Sequence, residues 1–500
     1  MAESEQAATA DTGKPSYPSP VYSWYVVVVL TVAYMFSFLD RQILALLIEP
    51  IRQDLEITDF QISLLLGLAF GIFYTALGIP IGRLADRRSR RGIIAAGVTI
   101  WCLMTAACGL ARNFPQLFLA RIGVGVGEAT LNPSAYSLIS DYFPRKRRGR
   151  AISFYNMGVS LGAGVAMVVG GQIIAFAFDT PRVTLPIVGE LFAWQLVFIL
   201  IGLPGLLIAA LMITVREPER RDKLQVTTDR GETREEVSIS ETVRFLTQRW
   251  RTYGTHFLGM SVVTILGYGF LFWIPTMFLR TWQWSIPDVS LAYGIIALTA
   301  GPIGVNAGGW LSDWLYSRGY RDAHMRMTLI GAIILVIASA LVPLMPTPEL
   351  AVAMLVPATI GAAIPTATAG AALMMIVPNQ LRGQTTAIYY FVINVLGLSL
   401  GASAVAAVTD FVFGDDAALR YSVSIVAVVA GSFALLFLFA NLKHYRASVI
   451  EAVQWSETVG SGLALIGDTI SATGASASYQ SAYRYAAAHA GAPVVAPAAG

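Results

Sequence analysis

Gly82-Arg83-Leu84-Ala85-Asp86-Arg87-Arg88-Ser89-Arg90-Arg91 lies between two long apolar stretches, and Gly309-Trp310-Leu311-Ser312-Asp313 occupies the equivalent place 227 residues later. Two further matches follow in the same order. Pro144 with Arg148-Gly149 matches Pro378 with Arg382-Gly383 at an offset of 234, and residues 158–164 match residues 397–403 at an offset of 239. Three ordered matches at nearly constant spacing mark a duplicated unit. The flanking stretches give the unit its content. Segments 24–39, 60–81, 191–215 and 423–440 are continuously apolar, and each has about the length that crosses a ~30 Å hydrocarbon layer as a helix. They lack the alternation of a transmembrane barrel strand. A helix satisfies its own backbone polar groups, as lipid requires. Only 13% of the 500 residues are charged, about half of what a soluble domain carries.

The expected fold is therefore an all-α membrane protein with twelve transmembrane helices in two pseudo-symmetric six-helix bundles. The spans are read at 23–47, 60–82, 92–111, 115–140, 149–178, 191–215, 253–280, 288–316, 326–345, 349–376, 382–412 and 419–441. Residues 1–20 read as a disordered tail, 21–215 as the N-terminal bundle and 216–251 as a cytoplasmic linker. Residues 252–442 form the C-terminal bundle, and 443–500 read as a largely disordered tail. Within the linker, residues 238–250 read equally well as an amphipathic helix on the membrane surface or as a solvated helix.

Short-loop charge sets the orientation. Arg83, Arg87, Arg88, Arg90 and Arg91 share one side with the basic run at 145–150 and with Arg318, Arg321 and Arg326. The alternate loops are poor in basic residues or acidic, with Glu49, Asp54, Glu56 and Asp59 against Arg52 in one and Asp410, Asp415 and Asp416 in another. Both termini are expected in the cytoplasm, with the chain in the inner (plasma) membrane. Cys102 and Cys108 read as core residues, so no disulfide, metal or other cofactor is expected.

The motif at 82–91 resembles the loop signature of the major facilitator superfamily. Leu119-Ala120-Arg121-Ile122-Gly123-Val124-Gly125-Val126-Gly127-Glu128-Ala129 is similar to that superfamily's fourth-helix signature. Phe38-Leu39-Asp40-Arg41, with Gly127-Glu128-Ala129 and Asn132-Pro133, resembles the spinster family, whose members move lysophospholipids or sphingolipid-type amphiphiles. Bacterial permeases for organic anions share parts of that pattern.

Ionisable residues within a membrane helix are costly and commonly functional. Asp40 and Arg41 are adjacent on one helix and point about 100° apart, so each needs another partner. Arg121 and Glu128 are two turns apart and share a face. A cluster between the first and fourth helices would let Asp40 and Glu128 couple protons, as the spinster resemblance also implies. Arg41 and Arg121 would steer an anionic headgroup. Tyr268, Asn306, Tyr389, Tyr390 and Asn394 are polar candidates for the substrate cavity in the C-terminal half. His256 reads as a boundary histidine. The superfamily resemblance makes Asp86, with Arg87 and Arg91, a conformational latch between the halves, and Asp313 its weaker counterpart.

The reading is a proton-coupled secondary transporter of lysolipid-like or sphingolipid-like amphiphiles, not an enzyme. A permease for a small aromatic or sugar acid is the alternative. No zinc-type His pair, Ser/His/Asp set or phosphate loop supports an intramembrane enzyme, and the duplication disfavours a channel. Expected partners are a lipid or small-molecule substrate, protons and membrane lipids. No nucleic acid is expected, and the chain should act as a monomer.

Overall fold

The structure, a computed structural model, describes residues 17–179, 182–185, 189–220, 226–227, 233–234, 239–378 and 381–473. The N-terminal half holds α1 (Pro20–Leu46), α2 (Ile48–Leu55), α3 (Asp59–Leu66), α4 (Leu68–Arg87), α5 (Arg90–Cys108), α6 (Phe114–Glu128), α7 (Leu131–Tyr142), α8 (Arg145–Phe178) and α9 (Ala193–Thr214). A short antiparallel hairpin, β1 (Arg182–Leu185) with β2 (Gly189–Phe192), precedes α9. Another small pair, β3 (Val226–Thr227) and β4 (Thr233–Arg234), lies before α10 (Ile239–Gln248). The C-terminal half holds α11 (Trp250–Trp282), α12 (Ile286–Ser317), α13 (Ala323–Leu341), α14 (Pro348–Ile376), α15 (Arg382–Ala407) and α16 (Leu419–Thr473).

Many helices start by one device: a hydroxyl or amide cap followed by proline. Ser19, Asn113, Ser285 and Thr347 each accept a backbone N–H from the first turn, with proline at the first or second position. The cap satisfies an orphan donor, and proline costs nothing where no intrahelical bond is due. Eleven described helices are long and apolar enough to cross a membrane. The span expected at 115–140 supplies the twelfth path. It is broken at Ala129–Thr130 into α6 and α7, so neither piece reaches full length. The span expected at 60–82 is likewise broken at Gly67.

The repeat survives as packing. α1 packs on α8 as α11 packs on α15, and α5 packs on α9 as α13 packs on α16. The halves meet along two seams that the duplication also relates, α8 on α12 and α3–α4 on α15.

Two boundaries differ from the sequence reading. α16 does not end at 442. Tyr445 and Val449 are buried in the core of the C-terminal half, and the Tyr445 hydroxyl donates to the Ala372 carbonyl at 3.0 Å. Lys443, His444 and Arg446 hide this in the sequence, because they break the apolar run without breaking the helix. Residues 474–500, the rest of the expected tail, lie outside the described residues, as do 1–16. Of the linker, α10 is an amphipathic helix within the expected 238–250. It buries a narrow stripe, Thr242 and Leu246, against the C-terminal half, and Thr242 bonds to Gln384 of α15.

Candidate functional site

Charge is concentrated where α1, α5 and α6 meet. Asp40, Arg41, Arg121 and Glu128 are all buried, with Glu128 and Arg121 each 1% exposed. Ser37 and Arg41 lie one turn apart on α1 and grip the last residue of α6. The Ser37 hydroxyl donates to Glu128 Oε2 at 2.5 Å, and Arg41 donates to the same oxygen from Nε at 2.9 Å and Nη2 at 2.6 Å. Three donors thus converge on one oxygen. Glu128 Oε1 is buried and accepts no hydrogen bond among the described residues. The Arg41 guanidinium is walled by the rings of Phe38, Phe70 and Tyr74, whose centroids lie 4.6–5.1 Å away.

Asp40 points elsewhere, as adjacent helical residues must. Its carboxylate accepts from the Thr105 hydroxyl of α5 at 3.0 Å. Arg121 makes no carboxylate ion pair within the described set. Its Nε and Nη1 reach the backbone carbonyls of Leu65 and Asp40 at 3.4 and 3.5 Å. The four charges are gathered as the sequence suggested, but the pairing is uneven. Ser37 and Thr105 complete the site and were missed, since lone hydroxyls in apolar helices carry no signal of their own.

Next to the cluster lies a tyrosine–asparagine layer, of which the sequence singled out only Asn132, as part of the spinster-like motif. Asn132 donates to the Tyr74 hydroxyl at 2.9 Å and accepts from Tyr155 at 2.6 Å. Tyr136 donates to Asn156 at 2.7 Å, and Tyr34 stacks on Tyr155. Across the interface between halves, Tyr268 stacks on Phe272 and lies within electrostatic range of Arg41 and Tyr74. Tyr390 is half exposed and within range of Tyr136. Of the other candidates, Tyr389 packs on Tyr390 with ring centroids 5.2 Å apart, while Asn306 and Asn394 make no described contact with this layer. Asn306 is exposed and donates to the Pro302 carbonyl of its own helix. Asn394 is half-buried on α15, and Tyr389 is buried against His256. His256 is itself buried (1% exposed) inside the C-terminal half, not at a solvated boundary.

At the basic end, Arg90 is the organising residue. It is buried and donates to Asp141, to Glu217 at 2.7 Å and to the Ser137 hydroxyl at 2.9 Å. Burial works against the Glu217 carboxylate, but Arg90, the Arg91 backbone N–H and Ser89 more than offset it and hold its pKa below the ordinary value. Of the expected latch residues, Arg91 donates to the Val215 carbonyl within its own half, and Arg87 is exposed. Asp313 is exposed and lies 3.7 Å from His324. The side chain of Asp86 lies outside the described set.

At the acidic end the halves are closed. Arg280 of α11 reaches across to Asp59, donating to both carboxylate oxygens at 2.7 and 2.9 Å, and also to Glu49. Arg52 pairs with Asp416 at 2.8 Å. The Phe60 backbone N–H donates to Asp410, and Ser63 donates to Ser403 at 3.1 Å. The sequence reading used these acids only for topology.

A family model described as Major Facilitator Superfamily matches residues 30–402. The chain belongs to the major facilitator superfamily. It is a multi-pass membrane transporter, not an enzyme. It is 25% identical to an MFS-type efflux pump of Mycolicibacterium smegmatis over 89% of this chain and 98% of that protein. It is 27% identical to a probable L-galactonate transporter of Escherichia coli over 60% of this chain and 64% of that protein. Among solved structures it is similar to a bacterial homolog of the human lysosomal transporter spinster, captured inward-facing and unoccupied. That match has a TM-score of 0.72 and 26% identity, over 87% of this chain and 99% of the other. The resemblance to the spinster family thus extends from motifs to the whole fold.

Proposed function

We propose that this transporter is a proton-coupled carrier of lysolipid-like or sphingolipid-like amphiphiles, working by alternating access in the inner membrane with both termini cytoplasmic. The observation that carries this reading is the buried Arg41–Glu128 pair with an unbonded carboxylate oxygen. A proton arriving at Glu128 Oε1 neutralises the carboxylate and loosens its hold on Arg41. The freed guanidinium, already framed by Phe38, Phe70 and Tyr74, then offers a charge to an anionic headgroup. When the proton leaves, Glu128 reclaims Arg41 and the headgroup is released. Asp40, which accepts from a hydroxyl and lies within electrostatic range of Arg121 and Arg41, is a second proton acceptor beside it. In the C-terminal half the described cluster of Asp322 with Arg326 and Arg446 sits beside the loop before α13, so an acyl chain deeper in the spans meets mainly uncharged side chains. Orientation by basic loops makes the closed, acidic end the outer one. The fold's likeness to an inward-facing spinster homolog supports that assignment.

One observation favours a second reading. The Asn132, Tyr74, Tyr155, Tyr136 and Asn156 layer offers the hydroxyls and amides that a small sugar acid needs, and a sugar-acid transporter is among the relatives. Proteoliposome uptake separates the two. Labelled lysophospholipid and a panel of aromatic and sugar acids are offered with and without a pH gradient. The first reading expects gradient-driven movement of the lysolipid. It also expects Asp40→Asn and Glu128→Gln to lose about tenfold or more of the gradient-driven rate, the scale of removing an essential proton carrier. Undiminished pH-driven transport in both variants sinks the coupling, and uptake of sugar acids alone selects the second reading.

A further inference from the structure

The path of α3 and α4 is broken at Gly67, and the break is held from both sides. On one side is α6. Arg121 donates into the carbonyl of Leu65 at the end of α3, and a Cβ at Gly125 would lie 2.7 Å from the Phe70 carbonyl oxygen just past the break. On the other side is α15 of the opposite half. A Cβ at Gly67 would lie 2.6 Å from the Leu398 carbonyl oxygen and 2.9 Å from that of Ser399, both backbone atoms. One turn on, a Cβ at Gly71 would meet the Ser399 hydroxyl at 3.1 Å. A side chain bonding into the backbone ladder beside a glycine is a recognised cause of a helix kink. The break at Gly67 (φ −105°, ψ −72°) lies where α3 approaches α15, and the outer contacts Ser63–Ser403 and Phe60–Asp410 lie along that approach. Arg121 hydrogen-bonds no carboxylate in the described set; its second bond is to the backbone of Asp40, and its charge reaches the Asp40 carboxylate only through space.

We infer that Arg121 is a positioning residue, not a headgroup ligand: by bracing the Gly67 break it holds α3–α4 in the shape that seats on α15 and closes the acidic end. The glycine supplies the room and the arginine supplies the shape. Proton site and seam therefore share one arginine. This inference rests on the alternating-access reading, since it assigns the contact to one of two states.

The test uses the full-length protein in liposomes carrying Ser63→Cys and Ser403→Cys, whose parent hydroxyl oxygens are 3.1 Å apart. A membrane-permeant oxidant forms the cross-link when the end is closed. Gly67→Ala and Arg121→Met are each expected to lower its yield about tenfold, the population change of a closed state losing its seat. Gly267→Ala, where nothing lies within 4 Å of the added methyl, should leave the yield unchanged. Melting measured alongside identifies any variant that fails to fold, and Arg121→Lys then replaces Arg121→Met with the same expectation. Parental yield in either folded variant overturns the inference, because the sandwich needs both faces. A folded Arg121→Met with parental cross-linking and a raised KM also overturns it and returns the arginine to substrate. Cross-linking is read without substrate, so its loss supports the inference even if no lysolipid is moved.

Discussion

Burial decides what a charged residue can do here, and Arg90 shows it most simply. Its neighbours Arg87 and Arg88 are exposed, while Arg90 is buried between Asp141 and Glu217. The first residues of a helix have room to point back into the bundle, and Ser89, which caps α5, turns the chain so that Arg90 does. Glu217 closes the arrangement from the segment after α9. Its pKa is held down in the folded protein, so it binds fewer protons folded than unfolded below neutrality. The stability it contributes is present above the unfolded glutamate value of about 4.3 and is lost as pH falls through the lower folded value. The melting temperature of the wild type should therefore fall more steeply below about pH 4.3 than that of Glu217→Gln. At neutral pH the variant should already melt lower. Parallel melting curves across that range would refute the assignment.

At the scale of elements, close backbone approach explains why so many glycines stand in α6. A Cβ at Gly127 would lie 2.6 Å from the Trp101 backbone nitrogen and 2.7 Å from the Gly97 carbonyl oxygen. Both atoms are backbone, so α5 and α6 would have to separate. Gly127→Ala is expected to cost about 1–3 kcal/mol, the usual range for overpacking. Gly267 in α11 has open space around it. Alanine there should be neutral or stabilising by up to about 1 kcal/mol, from helix propensity alone. Thermal unfolding of the two detergent-solubilised variants distinguishes them, and equal melting temperatures would mean that α5 and α6 are not in that contact. The same approach places Glu128 at the end of α6, one residue before the break, where α1 can reach it.

For the whole molecule, the ion network at the acidic end ties one half to the other. Arg280 is its hub, bonded to Asp59 and Glu49. Asp59 has no exposed side chain, so losing Arg280 leaves a buried carboxylate with only Arg52. Arg280→Ala should shift the population toward the form open at that end. Labelling of Ser63→Cys by a membrane-impermeant thiol reagent should then quicken by about tenfold, equivalent to ~1.4 kcal/mol. Unchanged labelling would show that the seam holds without the network. The duplicated seams α8–α12 and α3/α4–α15 suit a rocking motion, because each can part while the other stays packed.

The number of helices, their duplication and the concentration of charge near Asp40, Arg41, Arg121 and Glu128 were legible in the residues alone. Apolar length, loop charge and spacing within one helix are local quantities, and a bilayer makes them strict. Which charge meets which was not legible. Glu128 finds Arg41 and Ser37, Asp40 finds Thr105, and Arg121 finds carbonyls, because helix rotation and the breaks at Gly67 and Ala129 set the pairing. Nor could the sequence assemble the Tyr–Asn layer or mark the Arg280–Asp59 bridge, whose members lie 221 residues apart. The helices were specified locally by their solvent. The site and the closed end came from packing between distant segments, which only the tertiary structure brings within bonding distance.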